Sequence, residues 1–475
     1  MLSSETTRHY PPEPTSILRL PFEITAEIFA FYTETQHNCD VNSKSGMSAP
    51  LLLAAVCKTW REIALTTPQL WTTINIFIPS FAKIPFLTEL AESWMKRSGD
   101  LPLNIKVSIS GSILSRVKSH QEDISRIFDS IRCVSPRWRR LALEIPADLY
   151  HDFLGPLTDA PLLCDLRLIP IVYQDSLKDD GFHLSNTPRL THLQISRIFV
   201  STISIPWQNL TAIEAASIYI DEMIELLRSS NQLVSSKFTD IVGNGEIFPF
   251  PSTPLVHQYL KYLEVSPRDI DDISEFPLFL QNVTFPSLES FVYTIRAGFP
   301  VDDILSLFDR SQCSVKIFKM AVPEADDDLD VTEAELIRLL EGIPTITDLS
   351  VSLLDQNLPT IFSDHFISRL YLTPNFLPNL EVLSFVGPRR FSWERVADLL
   401  EAIPVNAPTI RSVELRVTQI ISAITKPSRC YIGELDLSRL VHLATKNPGT
   451  ILNIVDNATR MDIIAASLEL YWPTP

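Results

Sequence analysis

An acidic run, EADDDLD at residues 324–330, is the stretch whose residue types and spacing come nearest to metal-binding chemistry. Its aspartates at alternate positions resemble part of a calcium loop, which holds the ion through carboxylate and carbonyl oxygens. However, Val331 stands where that loop needs glycine, and Ile337 stands where it needs a bidentate glutamate. We therefore interpret the run as a solvated acidic loop, and we expect neither a metal nor another cofactor.

Other groups that could do chemistry are isolated from one another. The six cysteines are widely spaced without a C-x-x-C pair, and the nine histidines occur singly. The sequence contains no G-x-S-x-G, H-E-x-x-H or G-x-x-x-x-G-K-[ST] motif, and Gly243-Asn244-Gly245 lacks the third glycine of a dinucleotide loop. These patterns favour a protein that is not an enzyme. An enzyme whose partner residues are distant in sequence stays an open alternative.

The charge balance restricts the classes of partner. A net charge of -17 argues against a general affinity for nucleic acid or for an anionic membrane, since both attract clustered positive charge. The basic cluster RWRR, residues 137–140, is one short exception, and we interpret Trp138 as a core residue. We therefore expect a protein partner, and neither nucleic acid nor membrane.

The start of the chain, MLSSETTRHYPPEPTS, is polar and rich in proline where a secretory signal needs an apolar core. No later stretch is apolar for long enough to be a membrane helix. We expect residues 1–15 to be disordered and the chain to be cytoplasmic, nuclear or both.

Two helical patterns follow this start. In ILRLPFEITAEIFAFYTE, Pro21 can occupy the first turn, and Leu20, Ile24, Ile28 and Phe31 fall on one face. A polar segment then separates this helix from a second one, which is predicted to begin at Pro50 and to end before Pro68. We expect the two helices to share an apolar seam, over which Leu70 and Trp71 fold back. The second helix contributes Leu52, Val56, Trp60 and Ile63 to that seam.

The same residues resemble the F-box family. The stretch LPFEITAEIF resembles the L-P-x-E-I-x-x-x-I-F opening of the F-box, and VCKTWREIA resembles its V-C-x-x-W-R-x-[IL]-A second half. The closing TPQLW is typical of the large fungal F-box set. The polar insert between the halves is longer than in a minimal F-box. The resemblance covers residues 16–78, which we interpret as a small, all-helical F-box module.

This resemblance implies a docking surface for a Skp-type adaptor, which links an F-box protein to a cullin ubiquitin ligase. The alternative is that the same residues form only the core of a small helical domain. The residues implied in adaptor binding are Leu20, Pro21, Ile24, Ile28, Val56 and Trp60.

Farther along the chain, a short pattern, apolar-x-x-apolar-x-apolar, recurs at spacings of mostly about 20 to 34 residues. It begins with WRRLAL, residues 138–143, and ends with IRSVEL, residues 410–415; one wide gap is consistent with a degenerate copy near LVSSKF. Amphipathic stretches such as VDDILSLFDRS and TEAELIRLLEGI lie between the copies. The alternation resembles an irregular leucine-rich repeat, although the usual asparagine or cysteine is generally absent. An ordinary α/β domain with crossover helices is the alternative.

We therefore predict an α/β fold in which the small helical F-box is followed by a leucine-rich-repeat-like solenoid. Residues 79–135 are predicted to be a linker and cap, and residues 136–475 the solenoid with its own C-terminal cap. The predicted function is the substrate-recognition subunit of a Skp-cullin-F-box ubiquitin ligase, and the alternative is an interaction scaffold outside any ligase. The residues predicted to contact an unknown client are Arg167, His192, Gln194, Tyr262, Glu264, Lys319, Glu414 and Arg416.

Overall fold

The chain folds into two compact units, which are described separately. Unit 1 contains Met1–Leu190 and Ser201–Pro206, and unit 2 contains Thr191–Val200 and Trp207–Pro475. The predicted disordered segment 1–15 and the acidic run 324–330 lie outside the residues that the structure, a computed structural model, describes. The described residues are 20–39, 49–155, 158–171, 182–184, 186–268, 275–296, 298–323, 331–354, 361–373, 375–402, 410–418, 431–447 and 449–472.

Unit 1 combines helices with parallel strands. The strands β1, β2, β3 and β4 pair in chain order, and the short strands β5 and β7 pair with each other. The strands are β1 (Thr73–Ile78), β2 (Leu103–Ile109), β3 (Trp138–Glu144), β4 (Asp165–Leu168), β5 (Phe182–His183) and β7 (Ile203–Ser204). The helices are α1 (Phe22–Cys39), α2 (Ala49–Val56), α3 (Lys58–Thr66), α4 (Ile84–Arg97), α5 (Gln121–Arg132) and α6 (Tyr150–Leu154).

The turn that follows α3 joins the first helices to the strands of unit 1. As predicted, Leu70 and Trp71 fold back and are buried. The indole nitrogen of Trp71 donates a hydrogen bond to the carbonyl of Ala64 at 2.8 Å, and its ring meets Trp94 of α4 edge-on at 5.0 Å between centroids. Because Trp71 contacts both α3 and α4, it fixes the helices to the first strand-helix unit.

The parallel strands begin earlier in the chain than predicted. β1 lies within residues 16–78, which were predicted to be wholly helical, and α4, β2 and α5 lie within the predicted linker, 79–135. β2 pairs with β1 on one side and with β3 on the other, so this segment contributes a strand to the ladder. The stretch WTTINI, residues 71–76, fits the apolar-x-x-apolar-x-apolar pattern at β1, but it lies within the residues assigned to the helical F-box module. At β2 the pattern fails because Asp100 stands three residues before Leu103, where it needs an apolar residue.

Unit 2 is a longer run of the same alternation. Its strands pair in parallel in the order β6, β8, β9, β11, β13, β14, β15, β16, β17 and β18, and β10 pairs with β12. The strands are β6 (His192–Ser196), β8 (Ala212–Ala216), β9 (Ser235–Ile241), β10 (Leu255–Val256), β11 (Tyr262–Pro267), β12 (Val283–Thr284), β13 (Ser290–Thr294), β14 (Ile317–Val322), β15 (Asp348–Leu353), β16 (Val382–Pro388), β17 (Ser412–Thr418) and β18 (Ile451–Asp456). The helices are α7 (Ile220–Ser229), α8 (Phe276–Gln281), α9 (Val301–Ser311), α10 (Glu333–Glu341), α11 (Asp364–Leu372), α12 (Trp393–Ala402), α13 (Glu434–Lys446) and α14 (Ile463–Tyr471).

The predicted strands and helices of unit 2 are confirmed at their predicted positions. The degenerate copy LVSSKF contains the start of β9, which fills the wide gap between β8 and β11. A capping box begins α10, because Thr332 Oγ1 accepts a hydrogen bond from Glu335 N at 3.3 Å and Glu335 accepts one from Thr332 N at 2.9 Å. Among the described helices, none is long and apolar enough to cross a membrane.

Successive helices of unit 2 pack side by side. The pairs α9 and α10, α11 and α12, α12 and α13, and α13 and α14 are in contact. Ion pairs link neighbouring helices at their exposed sides, such as Arg338 with Asp302 and Arg369 with Glu341. Each exposed pair contributes only about 0.2–1 kcal/mol. The buried strand and helix faces, rather than these pairs, therefore supply most of the stability.

Helix α7 carries two buried carboxylates. Asp221 accepts hydrogen bonds from the backbone nitrogens of Gly245, Ile247 and Phe248 at 2.7–2.9 Å, which fixes that loop against the helix. Glu222 accepts one from Val200 N at 2.6 Å. Burial raises the pKa of Glu222 to about 7, although its backbone hydrogen bonds oppose the rise.

The raised pKa of Glu222 predicts that the folded chain becomes less stable as the pH rises. The folded chain binds this proton more tightly than the unfolded chain, whose pKa is near 4.5, so the free energy of unfolding falls as the pH rises from about 4.5 to about 7. Glu222→Gln keeps an acceptor for Val200 N and removes the titration. We expect the stability of the variant relative to the parent to increase by up to about 3 kcal/mol between about pH 4 and pH 8.

Urea denaturation of parent and variant across this pH range measures the effect. Glu246→Gln, at an exposed position in the same unit, is the matched control. Parent and Glu222→Gln curves that stay parallel with pH would show that the pKa of Glu222 is the same in the folded and unfolded chains.

Candidate functional site: an exposed apolar face

Helix α1 begins directly after Pro21. The amide and hydroxyl of Thr25 both lie 3.1 Å from the Pro21 carbonyl oxygen, which closes the first helical turn. Glu23 lies in that turn, where its negative charge complements the positive end of the helix dipole. This start determines which residues of α1 face the other helices.

The buried side of α1 is not the predicted side. Thr25, Phe29 and Thr33 are buried, whereas Ile24 and Ile28, which were predicted to form the seam, are exposed. The two threonine hydroxyls donate to carbonyls of their own helix at 3.1 and 2.8 Å, so their burial leaves no donor unpaired. The predicted seam was wrong because α1 carries apolar residues on two sides and the buried side includes two polar residues.

The second predicted helix is in fact two helices, α2 and α3, which are separated by Cys57. Cys57 has an extended backbone with φ of −156°, and its Sγ accepts a hydrogen bond from Trp60 N at 3.4 Å. Arg61 Nε donates to the carbonyl of Ala54 at 2.8 Å, which satisfies an acceptor at the end of α2. The break separates Val56 from Trp60, which a single helix would place on one face.

The core between α1, α2 and α3 is small and contains an aromatic contact. The rings of Phe29 and Trp60 meet edge-on with centroids 4.8 Å apart. Leu53, Ile63 and Ala64 are buried beside them. These contacts hold α1 against α2 and α3, and they leave the outer sides of α1 and α2 uncovered by described residues.

Several large apolar side chains of α1 and α2, together with Leu20 just before α1, are exposed. Phe31 is 70% exposed and Val56 is 61% exposed, and the others are 38–49% exposed. Removing apolar surface from water stabilises by about 25 cal/mol per Å², and exposed groups of such side chains usually mark a binding surface. We call this set the apolar face. It consists of Leu20, Phe22, Ile24, Ile28, Phe31, Tyr32, Leu52 and Val56.

The six residues predicted to bind an adaptor divide into two groups. Leu20, Pro21, Ile24, Ile28 and Val56 are exposed, so their side chains are accessible to a partner. Trp60 instead is half-buried, and its indole nitrogen is buried without a hydrogen-bond partner among the described residues. Contact of all six with an adaptor stays a prediction.

The site prediction missed four members of the apolar face, Phe22, Phe31, Tyr32 and Leu52. Phe31 and Leu52 had been assigned to the interior seam because they follow the three-or-four spacing of their helices. That spacing identifies an apolar side, but it does not distinguish a side that packs within the chain from one that faces outward.

The helices α1, α2 and α3 lie within a stretch of sequence that matches a known domain family. Residues 17–76 match the F-box-like family. The match supports an F-box protein, and all members of the apolar face lie within it. In a search of curated proteins, no protein matched the chain. We refer to residues 17–76 as the F-box-like domain.

Most of the predicted client residues lie in unit 2, on one face of its parallel strands. Alternate strand residues are buried, and the residues between them are half-buried or exposed, which defines an open face. The predicted residues on the open face are His192, Gln194, Tyr262, Glu264, Lys319, Glu414 and Arg416. Whether they contact a client stays a prediction.

Arg167 differs from the other predicted client residues, because it lies on β4 of unit 1. Its guanidinium hydrogen-bonds both carboxylate oxygens of Asp165 on the same strand, at 3.1 and 3.0 Å. The strand β3 places Ala142 opposite Arg167. The structure therefore describes Arg167 within a local ion pair on unit 1, separately from the residues of the open face.

A polar network occupies the first strands of the open face. Tyr262 donates its hydroxyl to Glu264 at 2.5 Å, and Lys237 pairs with the other oxygen of Glu264 at 2.9 Å. Burial raises the pKa of Tyr262 well above its ordinary range, and the nearby carboxylates of Glu264 and Glu214 add to the rise. Lys237 is not among the predicted client residues, because its strand lies in the degenerate copy LVSSKF.

The described residues offer little evidence for metal or thiol chemistry. Within the described ranges, no group of three His, Cys, Asp or Glu side chains is arranged to hold a metal ion. Burial raises the pKa of the Cys313 thiol to about 11, so this thiol is protonated at neutral pH. A cavity of about 240 Å³ lies beside α7, where the carboxylate of Asp221 already accepts three backbone hydrogen bonds.

The exposure of the apolar face predicts that its residues contribute little to stability. Ile24→Asp places a negative charge in the first turn of α1, and Val56→Lys places a positive charge at the last residue of α2. Both charges complement the helix dipole, so we expect each substitution to change the free energy of unfolding by less than about 1 kcal/mol. Phe29→Asp buries a charge in the interior and should cost more than about 3 kcal/mol. Urea denaturation followed by circular dichroism measures both.

A loss comparable to that of Phe29→Asp in either surface variant would place Ile24 or Val56 in the core. That result would support the alternative in which these residues form only the interior of a small helical domain.

Proposed function

We propose that this chain is the substrate-recognition subunit of a Skp-cullin-F-box ubiquitin ligase. The F-box-like domain suggests the ligase role, because domains of this family typically bind a Skp-type adaptor. The observation that carries the proposal is the apolar face of α1 and α2, whose exposed members lie within that domain. Through the adaptor the chain would join a cullin, in the cytoplasm, the nucleus or both.

The apolar face has the composition of a docking surface. Interface centres are enriched in aromatic and large aliphatic side chains, and a few well-buried ones supply most of the binding energy. Phe31 and Val56 are the most exposed members and therefore have the most apolar surface to bury. Phe29 and Trp60 support the face from inside the domain, so the helices need not rearrange when a partner binds.

Unit 2 is the proposed client-binding part, built as a leucine-rich-repeat-like solenoid. Its strands pair in chain order, and most of its successive helices contact one another, as expected when each repeat packs only on its neighbours. The ion pair of Arg439 with Asp398, at 2.8 Å, is one of several that link adjacent helices. The open face of the strands would then be the surface offered to a client.

The proposed mechanism is positional. One end of the chain would be fixed to the ligase and the other would hold the client, which raises the effective concentration of a client lysine at the ubiquitin-conjugating enzyme. Within unit 1, Trp71 connects the F-box-like domain to α4 through a buried ring contact and a hydrogen bond. A firm connection of this kind would preserve the geometry between adaptor and first strands.

Adaptor binding tests the proposal. We expect the full chain to bind a purified Skp-type adaptor with submicromolar affinity, and the double variant Ile24→Asp/Val56→Lys to bind at least about 100-fold more weakly, because both charges would be desolvated in the interface. Isothermal titration calorimetry measures both affinities.

The matched control replaces two exposed apolar residues of unit 2, as Leu435→Asp/Ile451→Lys. We expect this control to bind the adaptor like the parent. If the parent does not bind the adaptor, the F-box-like domain is a structural element only, and the chain is better explained as an interaction scaffold outside any ligase.

A further inference from the structure

The middle residues of the unit 2 strands pair without offset on the open face, although the register between β9 and β11 shifts at the end of β11, between Ser266 and Pro267. From β6 to β18, each middle residue lies directly opposite the middle residue of the next strand. These residues therefore form one continuous row that crosses the strands. We call it the middle row. It consists of Gln194, Glu214, Lys237, Glu264, Val292, Lys319, Ser350, Ser384, Glu414 and Asn453.

Two charges of the middle row are exposed and uncompensated among the described residues. Lys237 and Glu264 neutralise each other at 2.9 Å. Glu214 and Lys319 are exposed, and no hydrogen bond or ion pair within the described part of the chain engages either side chain. Glu214 and Lys319 are the two exposed charges of the row, whereas Lys237, Glu264 and Glu414 are half-buried.

The register gives the distance between these two charges. Glu214 on β8 and Lys319 on β14 are separated by four strand steps, through Lys237, Glu264 and Val292. At about 4.8 Å per step, the separation along the row is about 19 Å. An extended peptide advances about 3.3 Å per residue, so the same distance corresponds to about six residues.

The rest of the row leaves room for a peptide backbone. Val292 provides an apolar contact beside Lys319, and Ser350 and Ser384 are the small residues on the two strands beyond it. On β17, the half-buried Glu414 lies two residues before the exposed Arg416 on the same face of the strand. The free charges of Glu214 and Lys319 therefore dominate the electrostatic selection along this row.

We propose that the open face of unit 2 binds an extended polypeptide segment that crosses the strands, with a basic side chain at Glu214 and an acidic side chain about six residues away at Lys319. The charge pattern of the middle row identifies this class of ligand. The proposal rests on the proposed function only in taking this segment to belong to the client.

Selection from a random peptide library on the immobilised full chain tests the proposal. We expect enrichment of peptides in which a basic and an acidic residue are about six positions apart. For a selected peptide and its charge-reversed copy, we expect the parent to prefer the first by at least about tenfold and the swapped variant Glu214→Lys/Lys319→Glu to prefer the second. Fluorescence polarisation measures these affinities.

A control variant exchanges charges on the helices instead, as Lys446→Glu/Glu469→Lys, and should select the same peptides as the parent. Selection that yields no such spacing, or a preference that the swap leaves unchanged, would overturn the proposal. Adaptor binding is measured on the same preparations. If the parent does not bind the adaptor, the ligase assignment is contradicted, but the peptide result is unaffected.

Discussion

Parallel register across the middle of the strands is the constraint on which unit 2 depends. Because the middle residues of each strand pair in register with those of the next, every second residue there points to the same side along the whole row. Phe291, Phe318 and Leu349 thus stack in one buried line, to which each strand adds only one side chain. No single strand and helix could bury that line alone, so the repeats stabilise one another. The same register places the residues of the open face in lines that cross the strands.

The F-box-like domain differs from unit 2, because this small domain has a buried core and also exposes an apolar surface. It does so by burying threonines whose hydroxyls bond to the backbone, as in Thr25 and Thr33. Larger apolar residues are then left for the outer side, among them Phe31. The aromatic contact of Phe29 with Trp60 provides the rigid support that such a surface needs.

Much of unit 2 follows from local sequence patterns. The apolar-x-x-apolar-x-apolar copies predict strands because the side chains of a strand alternate, and helices such as Val301–Ser311 coincide with amphipathic stretches. Ser236 shows where this reasoning weakens. It occupies a buried strand position between Ile213 and Leu263, so its polarity made the copy at β9 look degenerate.

The arrangement of the F-box-like domain was less predictable, and the reason is again physical. A cysteine cap is not a common start of a helix, so Cys57 did not signal the break between α2 and α3. The choice of buried side in α1 depends on which residues meet the other helices, and that is a tertiary property. Free charges such as Glu214 became meaningful only once the register showed which neighbours were already paired.

We propose that the apolar face, rather than the open face of unit 2, receives the adaptor. Hydrogen–deuterium exchange of the full chain, with and without a Skp-type adaptor, distinguishes the two surfaces. We expect slower exchange in peptides from α1, α2 and α3 when the adaptor is present, with exchange in the strands of unit 2 unchanged. Protection in the strands of unit 2 instead, with none in those three helices, would contradict it.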